Sequence, residues 1–180
     1  MGIKGLRSDS VSQSVFKRVR KWIGPEAPLV LDFLDFSSSI SRLPPSWRMH
    51  VLRTFLNGWC TSFRISAKDA RPCIFGCVDA SDRLGHYLSC VRLLEQTRLA
   101  LQIVIPSSLL GALGLRGEAW ASRDSKERFG FVVFASLFYH SASQVTGPDG
   151  LVPPERIKDL MHVTRLHFTR GRPERGRRVN

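Results

Sequence analysis

The stretch RPCIFGCVDASDRLGHYLSC, residues 71–90, holds three of the chain's four cysteines and one of its five histidines. The spacing is Cys73-x3-Cys77-x8-His86-x3-Cys90. Zinc takes four thiolate or imidazole ligands in a tetrahedron, with bonds of about 2.0–2.3 Å. Ile74-Phe75-Gly76 lets the chain fold back between the first two cysteines, and Gly76 can take the positive φ that such a turn demands. His86 and Cys90 are four apart, so a helix beginning near Leu84 puts both on one face. Val78 to Gly85 reads as a loop, with Asp79, Ser81 and Asp82 as turn residues and Asp82 as a possible acceptor for the imidazole. The competing reading makes each Cys a small buried hydrophobe and His86 a surface residue. Crowding in so short a span favours the metal. A closed set of four ligands leaves no open position, so the zinc is expected to be structural. Cys60 is set aside as a buried thiol beside Trp59.

Working outward, the flanks read as helices. Pro44-Pro45-Ser46 is a start signal, followed by Trp47, Val51, Leu52, Phe55 and Leu56 at helical spacing. Arg48, His50 and Arg53 fall off that stripe, and Asn57-Gly58 ends it. Beyond the cluster, Leu88, Val91, Leu94, Leu99 and Ile103 predict one side of a helix over 87–105. Asp124-Ser125 opens a helix running to about Val145 that is apolar almost all round and therefore central. Pro153-Pro154-Glu155 opens another, with Ile157, Leu160, Met161 and Phe168 inward. Pro28 to Phe36 fits either a helix or a strand. The fold class is mainly α: one small helical domain with an embedded knuckle-like loop-helix module and disordered basic ends. The expected boundaries are a basic, Ser-rich lead-in over 1–24, a helical domain over 25–168 with the module at 71–94, and an Arg/Gly-rich tail over 169–180.

The chain's 27 Lys and Arg against 15 Asp and Glu give a formal net charge of +12. Such an excess points to a polyanionic partner, most often nucleic acid. The longest apolar run, Phe129 to Tyr139, is too short to cross a bilayer, which takes about 20 residues, so no membrane association is expected. The N-terminus has no apolar signal-peptide region, and MGIKGL misses the myristoylation pattern. A nuclear or cytoplasmic protein that is not secreted is the expectation, with a transit peptide as the alternative reading of the Ser-rich basic leader.

The segments LPPSWRMHVLRTFLNGWCTSFRI and PCIFGC and the Asp82-x3-His86-Tyr87-x2-Cys90 run resemble the region that follows the polymerase domain in non-LTR, LINE-like retrotransposon reverse transcriptases. The likeness spans about residues 43–94. It implies that Cys73, Cys77, His86 and Cys90 ligate zinc in a knuckle that assists binding of RNA or DNA. Many members of that family have four residues between the last His and Cys, where this chain has three. The aspartate pair of polymerase two-metal chemistry is missing, since no Asp-Asp dipeptide occurs. Pro148-Asp149 is followed by Glu155-x2-Lys158, one residue too long for the restriction-like nuclease motif of some relatives. His140, His162 and His167 have no adjacent nucleophile or acid that makes a triad.

The expected function is therefore a zinc-binding, nucleic-acid-binding accessory module, not an enzyme. Its expected binding residues are Arg64, Lys68, Arg71 and Arg83 near the knuckle and Arg170, Arg172, Arg175, Arg177 and Arg178 in the tail. Trp59 and Phe75 are candidates to stack on unpaired bases, with a place in the core as the competing reading. Two alternatives remain open: a zinc-held scaffold that binds a protein through 91–105, and a relic reading frame without selected function.

Overall fold

The structure, a computed structural model, describes residues 8–23, 33–102, 113 and 125–170. Eight helices are described: α1 (Ser8–Ile23), α2 (Phe33–Ser41), α3 (Pro45–Phe55), α4 (Ser62–Ile65), α5 (Leu84–Tyr87), α6 (Val91–Leu101), α7 (Ser125–Ser143) and α8 (Pro154–Arg170). Among the described residues there is no strand, only an isolated antiparallel bridge between Pro72 and Ser81. The mainly α expectation holds.

Helix α7 is the axis of the body. Phe129, Val132, Val133, Phe134, Phe138, Tyr139 and Ala142 along it are almost wholly buried, because α3, α6 and α8 all pack on it. A helix apolar on every side has no face to give to water, and that places it at the centre. Helix α3 begins at Pro45, where the missing N–H breaks no helical bond, and buries Trp47, Val51 and Phe55. Its end departs from expectation: Asn57 takes the left-handed φ of 57°, and Gly58 does not. Asn tolerates that region through its short polar side chain. Helix α8 closes the other side of the core through Phe168, which stacks on Trp47 with ring centroids 4.4 Å apart and meets Phe134 edge-on.

One expectation needs correction and another is extended. The lead-in over 1–24, in which Phe16 to Trp22 reads as a short helical edge, carries the longer α1, and its Val15 and Val19 are fully buried in a helix packed on α3. Two valines four apart are enough to seat a helix when a neighbouring face is waiting. The helix expected over 87–105 is split: α5 ends at Tyr87, and α6 starts after Cys90, whose backbone is extended (φ −64°, ψ 112°). The buried side of α6 is Leu93, Thr97 and Ala100, while Val91 and Leu99 face outward. Its apolar residues lie nearly all round, so sequence spacing alone did not select the face. The described part of the 28–36 segment, from Phe33, is helical. Residues 169 and 170 close α8, and the remainder of the tail, with Arg172, Arg175, Arg177 and Arg178, lies outside the described residues, as does Ile103. No described helix is long and apolar enough to cross a membrane.

Candidate metal centre and the cleft beside it

The backbone from Arg71 to Asp82 folds back on itself. Cys73 N–H donates to Ala80 O at 2.7 Å, and Asp82 N–H donates to Arg71 O at 2.7 Å. Inside this loop Gly76 N–H donates to Cys73 O at 2.9 Å and Gly76 sits at φ 76°. That is the positive φ its position in the sequence calls for. The turn brings Cys77 back towards Cys73. His86, in the single turn of α5, and Cys90, at the N-terminal end of α6, complete the group. The two are joined by a helix end and a new helix start, not by one continuous helical face.

The four residues offer ligand atoms that all lie within 4.8 Å of one another, a group able to hold a metal ion. Cys77 Sγ and Cys90 Sγ are 3.5 Å apart, and Cys73 Sγ and Cys90 Sγ are 4.0 Å apart. Thiolates on a tetrahedral zinc lie about 3.8 Å apart for bonds near 2.3 Å, so the sulfur spacing is already that of a ligand set. Both separations are far beyond a disulfide bond of about 2.05 Å, and all four cysteines are free thiols. His86 Nε2 is buried with no hydrogen-bond partner. One ring nitrogen of His86 lies in the group with the three sulfurs, and a metal there would take it as a ligand. The Cys73 thiol is pulled down to about 4, first by the hydrogen bond from Cys90 and then by the backbone N–H groups of Cys77 and Phe75. Cys90 is pushed up because it shares that hydrogen bond and is buried. Crowded thiols that favour one shared anion are a poor resting state and a good ligand field for a cation.

The loop is fastened to the helical body by Asp82, which is 5 % exposed. Its Oδ1 accepts from Tyr87 Oη at 2.7 Å and Tyr139 Oη at 3.0 Å, and its Oδ2 accepts from Ser62 N–H at 2.6 Å. Tyr87 Oη also accepts from Ile74 N–H at 3.2 Å. Burial drives both tyrosine pKa values up, and the Asp82 charge adds to it, so both hydroxyls stay donors. The expectation that Asp82 accepts from the ligand imidazole is thus replaced: it holds tyrosines. Val152 N–H donates to Ile74 O at 2.8 Å, a further tie between the loop and the approach to α8.

The other expected site residues divide. Trp59 and Phe75 are core: Trp59 is fully buried, stacked on Tyr139 and donating from Nε1 to Thr54 Oγ1, and Phe75 stacks on Phe138. Neither offers a face to a base. Cys60 lies outside the ligand group, as expected, but its side chain is exposed and not buried; its carbonyl accepts from Tyr139. Arg64, Lys68, Arg71 and Arg83 are all exposed. Arg64 and Arg83 line one cleft of about 510 Å³, together with Arg18 and Lys21 from α1, Phe63, His86 and Ser89. Arg71 lies in a different depression with Asp69 and Asp82. Arg18, Lys21 and Phe63 were not singled out in the sequence. Their only signal was the basic run KRVRK next to a buried pair of valines, and nothing local says which cleft that helix will border.

No family model, curated protein or solved structure matches the chain in comparison with known proteins.

Proposed function

We propose that the protein is a zinc-stabilised helical module that binds nucleic acid and has no chemistry of its own. The observation that carries this reading is the group Cys73, Cys77, His86 and Cys90, with its ligand atoms within 4.8 Å, set beside a cleft walled by arginine and lysine. Three sulfurs and one imidazole are a soft-to-borderline donor set that suits zinc and disfavours calcium or magnesium. All four positions of a tetrahedron are filled by protein, so the ion holds the loop to α5 and α6 and leaves no place for substrate. The net charge of +12 supplies attraction to a phosphate backbone. The likeness to the post-polymerase region of LINE-like reverse transcriptases points the same way, and it fits a nuclear or cytoplasmic setting.

Elemental analysis of the purified chain and titration with labelled single-stranded RNA at two salt concentrations test the reading. The expected result is one zinc per chain and an affinity that falls steeply with salt. Absence of zinc, or absence of binding at low salt, overturns the corresponding half. A second reading rests on α6, where Val91 is 72 % and Leu99 53 % exposed. That surface suits a protein partner, and a zinc-held scaffold would bind one there with no salt-dependent affinity for RNA.

A further inference from the structure

Resting on the nucleic-acid reading, we infer that the cleft between α1, α4 and α5 seats a single-stranded segment, its phosphates held by Arg18, Lys21, Arg64 and Arg83 and one base stacked on Phe63. The four cations come from α1, from α4 and from Arg83, the extended residue that precedes α5, and all line a recess of about 510 Å³. Among the described residues that line it, none is acidic. Elsewhere the charges are mixed: on α8, Arg156 and Lys158 alternate with Glu155 and Asp159. An acid-free group of cations from distant parts of the chain is costly to assemble through mutual repulsion, and a polyanion relieves it.

Phe63 decides what kind of strand fits. It is 42 % exposed at the cleft, whereas Trp59 and Phe75 nearby are core. An aromatic ring held among cations matches the pattern of single-strand sites, in which a charged groove tracks the backbone and bases stack on rings. A paired base cannot offer its face to a side chain without leaving its stack. Asn57, Thr61 and Ser89 add polar groups at the wall for sugar or base edges.

The test uses the full zinc-loaded chain and fluorescence anisotropy with a 12-nucleotide mixed-sequence RNA, the same sequence as DNA, and its duplex. Replacing Arg64→Gln and Arg83→Gln together is expected to weaken single-strand binding roughly tenfold and to reduce the salt slope by about 1.4, at about 0.7 per phosphate contact. Phe63→Ala weakens it by roughly fivefold to a hundredfold with the salt slope unchanged. The pair Arg156→Gln and Lys158→Gln on α8 removes the same charge from residues that do not line the cleft and leaves affinity near the parent's. Zinc content and circular dichroism confirm that each variant is folded. Equal weakening by both pairs, or loss only on neutralising Arg172, Arg175, Arg177 and Arg178, overturns the cleft while nucleic-acid binding stands. Duplex bound as tightly as single strand overturns the strandedness. A parent chain that binds none of the three overturns the function proposed above and the cleft with it.

Discussion

Tyr139, deep in the central helix, donates its hydroxyl to Asp82 across 3.0 Å, so the loop carrying Cys73 and Cys77 is anchored to the core by a buried carboxylate. Asp82 also holds Tyr87 and the Ser62 backbone; removing the carboxylate takes the acceptor from the Tyr87 hydroxyl and the Ser62 N–H, whereas the Tyr139 hydroxyl keeps the Cys60 carbonyl at 3.3 Å. An unsatisfied buried donor costs about 1–3 kcal/mol. Asp82→Ala is therefore expected to cost about 3 kcal/mol or more, lowering the melting temperature by roughly 6–12 °C at about 2–4 °C per kcal/mol. Tyr139→Phe removes one donor and costs about 1 kcal/mol. If the two substitutions shift the melting temperature equally in thermal denaturation, Asp82 is not the shared anchor.

Gly76 sits at φ 76°, and a side chain added there meets nothing within 4 Å. The cost of Gly76→Ala is then conformational alone, about 1–2 kcal/mol. The variant is expected to melt roughly 2–8 °C lower and, if zinc binds as proposed, to take up as much of it as the parent. Asn57→Gly, at another left-handed position, is expected to be neutral or slightly stabilising. A Gly76→Ala protein as stable as the parent contradicts this account of the turn.

Helix α6 offers a paired test of which face is inside. Leu93 is fully buried and Val91 is 72 % exposed. Leu93→Ala is expected to cost about 2–5 kcal/mol, and Val91→Ala within about 0.5 kcal/mol of nothing. Urea unfolding measures both; a larger loss at Val91 would mean the helix is rotated.

His50 lies against the central helix, its Nδ1 3.0 Å from Ser136 Oγ. Burial above all, with His140 and Arg53 adding to it, lowers its pKa from 6.5 to about 4. His140 is lowered too, by burial and by Arg53. The unfolded chain thus takes up protons between pH 6.5 and 4 that the folded chain refuses. Stability is full above about pH 6.5 and falls as the pH drops towards 4. His50→Gln keeps a polar partner for Ser136 and removes one of the two imidazoles whose pKa burial lowers. Its melting temperature is expected to fall less steeply than the parent's between pH 6.5 and 4.5. Parallel profiles would show that His50 does not contribute.

The features legible in the sequence were those set by few residues at short range. Four ligand-type side chains, a glycine in the turn between two of them, and prolines at two helix starts each carry their meaning locally. The central helix was legible because an all-apolar helix has only one place to go. What escaped depended on distant partners. Val15 and Val19 gain their burial from α3, and Asp82 its role from a tyrosine 57 residues away. The break between His86 and Cys90 escaped because helical spacing is silent about backbone angles at the ligands. Trp59 and Phe75 lie in the core because Tyr87 and Tyr139 stack on Trp59, while Phe138 stacks on Phe75 and Tyr87 meets it edge-on.

His86 belongs to two places at once: it completes the sulfur group and it lines the basic cleft. If zinc and a strand both bind as proposed, the factor by which the ion changes the strand's affinity equals the factor by which the strand changes the ion's. Should that factor be favourable, a strand in the recess would leave more zinc bound at equilibrium with a chelator, and scarcity of zinc would loosen the grip on the strand.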